Sequence, residues 1–84
     1  MTVAEFENQV WETEKIFLII RACRTMETAP YLYQRMAKGT TTIAVWKRNR
    51  LDPLLNGLTY EIIAGDLTFP HGNTNLESVR SSYY

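Results

Sequence analysis

The chain has 84 residues, 45% hydrophobic and 21% charged, and its nine cations and nine anions cancel at pH 7. This composition is typical of a globular protein and excludes a disordered one, and the length allows a single domain with a small core. One cysteine, Cys23, excludes an internal disulfide framework. We therefore expect one domain that spans residues 1–84.

The N-terminus does not look like a secretion signal. Residues 1–14 contain four acids and no cation, whereas a signal peptide begins with basic residues. The longest apolar run, Ile16 to Ile20, is far shorter than the roughly 20 residues that a membrane-spanning helix needs. These features predict a cytoplasmic protein with no membrane partner.

Charge is unevenly distributed along the neutral chain. Residues 15–50 carry eight cations and one acid, and residues 51–84 carry four acids and one cation. Such asymmetry is compatible with a site for a polyanion. It is equally compatible with a basic middle segment that packs against the acidic ends.

The first predicted element is a long helix that begins near residue 3. Thr2 and Glu5 have the spacing of a capping box, in which each side chain accepts a backbone N–H at the helix start. We expect this helix to continue into the apolar run "KIFLIIRAC". The alternative is a helix of about a dozen residues followed by a strand at 16–22, because periodicity does not separate the two over so short a run.

A second helix is predicted from Ala29 to Lys38. Thr28 is suited to cap its start, Pro30 is tolerated in a first turn, and Gly39 suits the left-handed residue that ends a helix.

A β-hairpin is predicted next, with strands near 41–50 and 58–64. The intervening "LDPLLNG" contains Asp-Pro to begin a turn and Asn-Gly to end one. A register with Asn49 opposite Thr59 pairs Lys47 with Glu61, Val45 with Ile63, and Trp46 with Ile62. The same register places four residues on one face of the predicted hairpin: Trp46, Arg48, Tyr60 and Ile62.

The C-terminal part is predicted to be a loop followed by a short helix or tail that begins at Asn75. The whole pattern indicates an α+β domain: a long N-terminal helix, a second helix, a β-hairpin, and a short C-terminal helix or tail.

Residues with catalytic potential are few. One histidine and one cysteine, far apart in the chain, do not make a metal cluster, and the isolated glycines do not form a phosphate loop. His71 is the one candidate general base, and Cys23 is more typical of a small buried apolar group than of a reactive thiol. We therefore expect no enzymatic activity, cofactor or metal.

A basic and aromatic stretch, Trp46 to Arg50, is the main candidate for a binding surface. Nucleic-acid sites combine cations that neutralise phosphates with aromatic rings that stack on bases. The other interpretation is a strand with Trp46 in the core and its cations solvated or paired. The predicted partner-binding residues are Trp46, Lys47, Arg48, Arg50, Arg21, Arg24, Arg35 and Lys38.

A stripe of apolar residues along the first helix is a second candidate surface. Either it covers the hairpin, or it forms a homodimer seam through Val3, Phe6, Val10, Phe17 and Ile20. Further aromatic anchors of the kind that dominate protein interfaces are Trp11, Tyr31, Tyr33, Tyr60, Tyr83 and Tyr84. The expected function is a small protein-binding module, such as a regulator, an adaptor or a phage-type inhibitor that occludes a larger partner. The alternative is a nucleic-acid-binding protein that uses the basic ribbon.

Overall fold

The computed structural model describes residues 1–83, which form three α-helices, one π-helical turn and a two-stranded antiparallel sheet. The predicted α+β class is confirmed. Tyr84, one of the predicted aromatic anchors, lies outside the described residues. The elements in chain order are α1 (Val3–Glu14), β1 (Phe17–Ile20), α2 (Ile43–Trp46), the π-helical turn (Lys47–Leu51), β2 (Tyr60–Ile63) and α3 (Leu76–Ser81). No helix in residues 1–83 is long and apolar enough to cross a membrane.

Helix α1 begins with the predicted capping box. The Glu5 amide donates to Thr2 Oγ1 at 3.2 Å, and the Thr2 amide donates to Glu5 Oε1 at 2.8 Å. The helix ends at Glu14 because Lys15 turns into the left-handed region, with φ of 58°, and its N–H bonds the Trp11 carbonyl. The expected continuation of the helix into the apolar run is wrong, and the alternative of a dozen-residue helix followed by a strand is right.

The sheet pairs β1 with β2, so its two strands come from distant parts of the chain. Phe17 lies opposite Ile63, Leu18 opposite Ile62, Ile19 opposite Glu61, and Ile20 opposite Tyr60. The predicted second strand is thus confirmed, but its partner is Phe17–Ile20 and not residues 41–50. Residues directly opposite each other point to the same face of the sheet. The inner face is buried and consists of Leu18, Ile20, Tyr60 and Ile62.

Residues 43–51 are helical, so the predicted hairpin register, with Lys47 facing Glu61 and Trp46 facing Ile62, is wrong. Thr42 is an N-cap in extended conformation, and its Oγ1 accepts the Val45 amide at 3.4 Å. In the π-helical turn that follows, backbone hydrogen bonds join residues five apart instead of four: the Asp52 amide donates to the Lys47 carbonyl at 2.7 Å. A wider turn brings residues five apart to one side, and Trp46 and Leu51 therefore both reach the core.

The predicted second helix over Ala29–Lys38 is also wrong, because residues 29–38 contain no helix. The Thr28 hydroxyl, expected to cap it, instead donates to the Met1 carbonyl at 3.1 Å. Further along, the Tyr33 carbonyl accepts from the Thr13 hydroxyl and the Ala37 amide donates to Glu14. Backbone groups that a helix would pair internally are therefore bonded to α1.

The core lies between α1, the inner face of the sheet, α2 and α3. Four members of the predicted dimer seam, namely Val3, Phe6, Val10 and Ile20, are buried in it. The apolar stripe therefore covers the chain's own sheet, and a seam built on these four residues is excluded. Phe17 alone among the five seam residues is exposed.

Helix α3 confirms the predicted C-terminal helix, with Asn75 in the N-cap position. After α3 the chain passes over Gly65, whose amide donates to the Ser82 hydroxyl at 2.8 Å. A β-carbon on Gly65 would overlap the Ser82 carbonyl and would lie 3.0 Å from the Tyr83 amide nitrogen. Glycine at position 65 is what lets the C-terminal segment pack against the end of the sheet.

A Gly65→Ala substitution should therefore lower the free energy of unfolding by about 1–3 kcal/mol, the usual range for overpacking. The matched control is Gly72→Ala, since a β-carbon there meets the Ala44 side chain at an ordinary 3.4 Å. Urea denaturation followed by circular dichroism measures both. Equal effects of the two substitutions would contradict the steric role of Gly65.

Candidate functional site

A fully buried carboxylate, Glu14, lies at the centre of the molecule. Its Oε2 accepts hydrogen bonds from the Tyr31 hydroxyl at 2.5 Å and from Arg50 Nη1 at 2.6 Å. Its Oε1 accepts from the Ala37 amide at 2.8 Å and from Arg80 Nη2 at 3.3 Å. Both oxygens are therefore occupied by protein donors.

The two arginines of this cluster are also fixed by backbone carbonyls. Arg80 donates through Nε to the Glu14 carbonyl at 2.8 Å and through Nη1 to the Ala37 carbonyl at 2.9 Å. Arg50 donates to the Arg35 carbonyl at 2.7 Å, and its guanidinium lies 4.4 Å from the centre of the Tyr33 ring. Each guanidinium therefore connects separate segments of the chain.

The electrostatics of the cluster favour the protonated forms of Tyr31 and Arg50. Burial, and then the hydrogen bond to Glu14 and its charge, raise the pKa of Tyr31 well above its usual value. Burial lowers the pKa of Arg50, but the hydrogen bond and charge of Glu14 outweigh that effect and raise it. We interpret the cluster as a structural junction, because both carboxylate oxygens of Glu14 already accept hydrogen bonds from the protein.

The predicted binding stretch contributes to this junction and not to a ribbon. Trp46 is only 1% exposed, and its indole N–H points at Glu14 Oε2 at 3.4 Å. The Arg50 charge is paired with Glu14, and the Lys47 ammonium lies 5.3 Å from the centre of the Tyr60 ring. The basic and aromatic β-ribbon is therefore not formed.

The other predicted cations are distributed over several segments. Arg24 pairs with Glu7, with 3.0 Å between Nη1 and Oε1. The remaining four cations are exposed. Arg21 follows β1, Arg35 and Lys38 lie in residues 29–38, which we call the irregular segment, and Arg48 lies in the π-helical turn.

The two residues with potential nucleophile or base chemistry lie in exposed loops. His71 Nδ1 accepts the Asn73 amide at 3.1 Å, and Cys23 Sγ lies 3.2 Å from the Thr25 hydroxyl. Within residues 1–83, no group of three or more histidine, cysteine or acidic side chains is arranged to hold a metal ion.

The feature that does have the properties of a binding site is the other face of the sheet. Phe17 is 47% exposed, Ile19 38% and Leu67 84%. The strand register places Ile63 beside Phe17 on this face. A shallow cavity of about 240 Å³ lies here, lined by these four residues with Leu18, Ala64, Gly65 and Tyr83. We define the outer sheet face as Trp11, Phe17, Ile19, Ile63, Leu67 and Tyr83.

Three aromatic rings hold one end of this face in place. The Trp11 and Phe17 rings are stacked, with centroids 4.2 Å apart and 10° between their planes. Tyr83 meets both rings edge-on, at 4.9 Å from Phe17 and 5.7 Å from Trp11. Its hydroxyl accepts the Phe17 amide at 3.1 Å and donates to the Ile63 carbonyl at 2.5 Å. The hydroxyl thus bridges the last residue pair of the sheet, and burial raises the pKa of Tyr83, which favours the protonated donor.

The sequence indicated only part of this site. Phe17 was in the predicted seam, and Trp11 and Tyr83 were among the predicted anchors, but Ile19, Ile63 and Leu67 were not identified. Every residue of Phe17–Ile20 is apolar, so the usual alternation that separates an inner from an outer face is missing.

Comparison with known proteins adds no relative to this description. The chain matches no family model, no curated protein and no solved structure.

A Glu14→Gln substitution should lower the free energy of unfolding by about 3–5 kcal/mol, because it leaves two partly buried arginines without their anion. Glu12→Gln, on the exposed side of the same helix, should change it by less than about 0.5 kcal/mol. Urea denaturation of the three proteins measures the difference. Similar stabilities for the two variants would contradict the junction.

The raised pKa of Tyr31 also predicts a pH dependence. An unfolded tyrosine ionises near pH 10, whereas the folded chain holds the Tyr31 proton to higher pH. The folded state thus binds more protons above pH 10, and its stability should fall as pH rises through the folded pKa. Stability measured by urea denaturation from pH 8 to 11 should fall less steeply in Tyr31→Phe than in the native chain. Identical slopes would argue against the assignment.

Proposed function

We propose that this protein is a small, non-catalytic protein-binding module that acts in the cytoplasm as a regulator, an adaptor or a phage-type inhibitor. It would occlude part of a larger partner through the outer sheet face. The observation that supports this most is the exposure of Phe17, Ile19 and Leu67 in one place, although the chain has a small core and gains from every apolar residue it buries.

The residue types of this face support protein as the partner. Tryptophan and tyrosine are enriched among the residues that contribute most to interface affinity, and the aromatic end supplies Trp11, Phe17 and Tyr83. The stacked and edge-on rings are already ordered, so little side-chain entropy is lost when a partner binds. The cavity offers a place for one apolar side chain of the partner.

The same geometry favours protein over nucleic acid. The tryptophan expected to stack on bases, Trp46, is buried, and the charge of Arg50 is neutralised by Glu14. The aromatic rings of the outer sheet face, Trp11, Phe17 and Tyr83, pack against one another. The alternative of nucleic-acid binding therefore has less support than the protein-binding proposal.

The experiment is site-specific photo-crosslinking in an extract of the source cells. A benzophenone side chain at position 67, at the rim of the face, should give adducts with a defined protein. The same probe at position 32 is the control, since Leu32 is 75% exposed but lies in the irregular segment. Ile19→Arg should abolish the adducts from position 67, because a charge on the apolar face must be desolvated on binding.

The partner identified in this way is then titrated with the purified chain. Ile19→Arg should weaken binding at least tenfold, equivalent to about 1.4 kcal/mol. The proposal would be overturned if adducts formed only from position 32, or if Ile19→Arg left the adducts from position 67 unchanged. Binding of labelled DNA or RNA that weakens by orders of magnitude between about 50 and 200 mM salt would support the alternative instead.

A further inference from the structure

We infer that the outer sheet face binds a second copy of this chain, forming a two-fold symmetric dimer. This inference rests on the proposed function, because it concerns the same protein-binding face, which a second copy of the chain would cover in place of a larger partner. It is carried by the charges at the two ends of the face together with the apolar surface between them.

One end of the face carries the cation Lys15, and the other carries the anion Glu61 with Arg21 beyond it at the rim. The Lys15 ammonium lies 5.9 Å from the centre of the Trp11 ring, beyond the aromatic end. Glu61 lies opposite Ile19 in the sheet and shares the outward side with it. Both side chains are half-buried, and the ion pairs found in residues 1–83 involve neither of them.

A face with this arrangement is complementary to itself. In a two-fold dimer each contact occurs twice, because residue i of one copy meets residue j of the other and the reverse. When two copies pack face to face, a two-fold axis that runs midway between Lys15 and Glu61 exchanges their positions. Each Lys15 then meets the Glu61 of the second copy, and the apolar residues that lie between the two charges, Phe17, Ile19 and Ile63, cover one another.

The other properties of the chain agree with a second copy as the occupant. The net charge is zero, so two copies do not repel each other at long range. The dimer would remove the exposed apolar side chains of the outer sheet face from water in both copies.

The cation Arg21 also lies on this side of the molecule. Its amide donates to the Thr59 carbonyl at 2.8 Å, which extends the ladder past β1, and its side chain is exposed. Arg21 therefore follows Glu61 at the far end, outside the apolar area. The predicted exchange involves Lys15 and Glu61 and leaves Arg21 at the rim.

Charge reversal tests the pairing directly. The native chain should sediment as a dimer of twice 9.8 kDa, and Lys15→Asp or Glu61→Lys alone should weaken the dimer at least tenfold, about 1.4 kcal/mol. The double variant Lys15→Asp with Glu61→Lys should restore the dimer to within about threefold of native, or roughly 0.7 kcal/mol. Aspartate is used at position 15 because it tolerates the left-handed conformation of that residue.

Two further variants separate this face from the rest of the surface. Ile19→Arg should abolish the dimer, and Arg48→Glu, an equal charge reversal in the π-helical turn, should leave it unchanged. Far-UV circular dichroism and thermal unfolding check that each variant is folded. Sedimentation equilibrium over about 10–500 μM then measures the dissociation constant of each, a range that covers affinities down to about −5 kcal/mol.

The outcomes are distinct. A chain that stays monomeric over the whole range, or a double variant that is not restored, overturns the inference. In either case the crosslink from position 67 still tests the proposed function. An adduct with a different protein supports the proposed function, whereas an adduct of twice the chain's mass shows the dimer. A dimer that survives Ile19→Arg would use another surface and would also overturn the inference.

Discussion

The Glu14 carboxylate is the interaction on which the rest of the structure depends. It joins the end of α1 to the irregular segment through Tyr31 and Ala37, to the π-helical turn through Arg50, and to α3 through Arg80. A buried carboxylate is costly to desolvate, and it is tolerated because each of its oxygens accepts at least two hydrogen bonds from the protein. In a chain with so few regular elements, this one group fixes the positions of four segments that share little secondary structure.

The junction also accounts for the uneven charge of the chain. The acidic N-terminal segment and the basic middle segment meet in two ion pairs, Glu7 with Arg24 and Glu14 with Arg50. These pairs support the interpretation that the middle segment packs against an acidic end. The residues that looked most like a polyanion site are therefore partly used to hold the fold together.

Local signals in the sequence were sufficient where an element depends on its own residues. The capping box at Thr2, the strand around Ile62 and the helix after Asn75 were all predicted correctly. The predictions that were wrong concern segments whose structure is determined by contacts with distant residues or by a single capping residue. Residues 29–38 have the caps of a helix, but their backbone bonds α1 and the Glu14 carboxylate. The β-branched run before Trp46 has the composition of a strand, but Thr42 caps a helix there.

Contacts between distant residues also explain why the sequence predicted only part of the candidate site. Arg50 and Glu14 are 36 residues apart, so no local pattern reveals that the arginine is neutralised. The outer sheet face is formed by Phe17 from one strand and Ile63 from another, which meet only through a long-range register. Sequence periodicity identified the inner, buried side of α1 correctly as apolar, but it could not show that the sheet covering it is apolar on both sides.

An apolar outer face on a two-stranded sheet needs a physical reason. A sheet that only covers a core has no need for phenylalanine and isoleucine on its solvent side, and charged residues there would improve solubility. Instead, the chain places Tyr83 so that its hydroxyl completes the end of the ladder and its ring extends the aromatic cluster. Gly65 is kept free of a side chain so that the segment after α3 reaches this position. The C-terminal part of the fold thus contributes to the order of an exposed apolar face, and such an arrangement is expected when that face is covered by a partner.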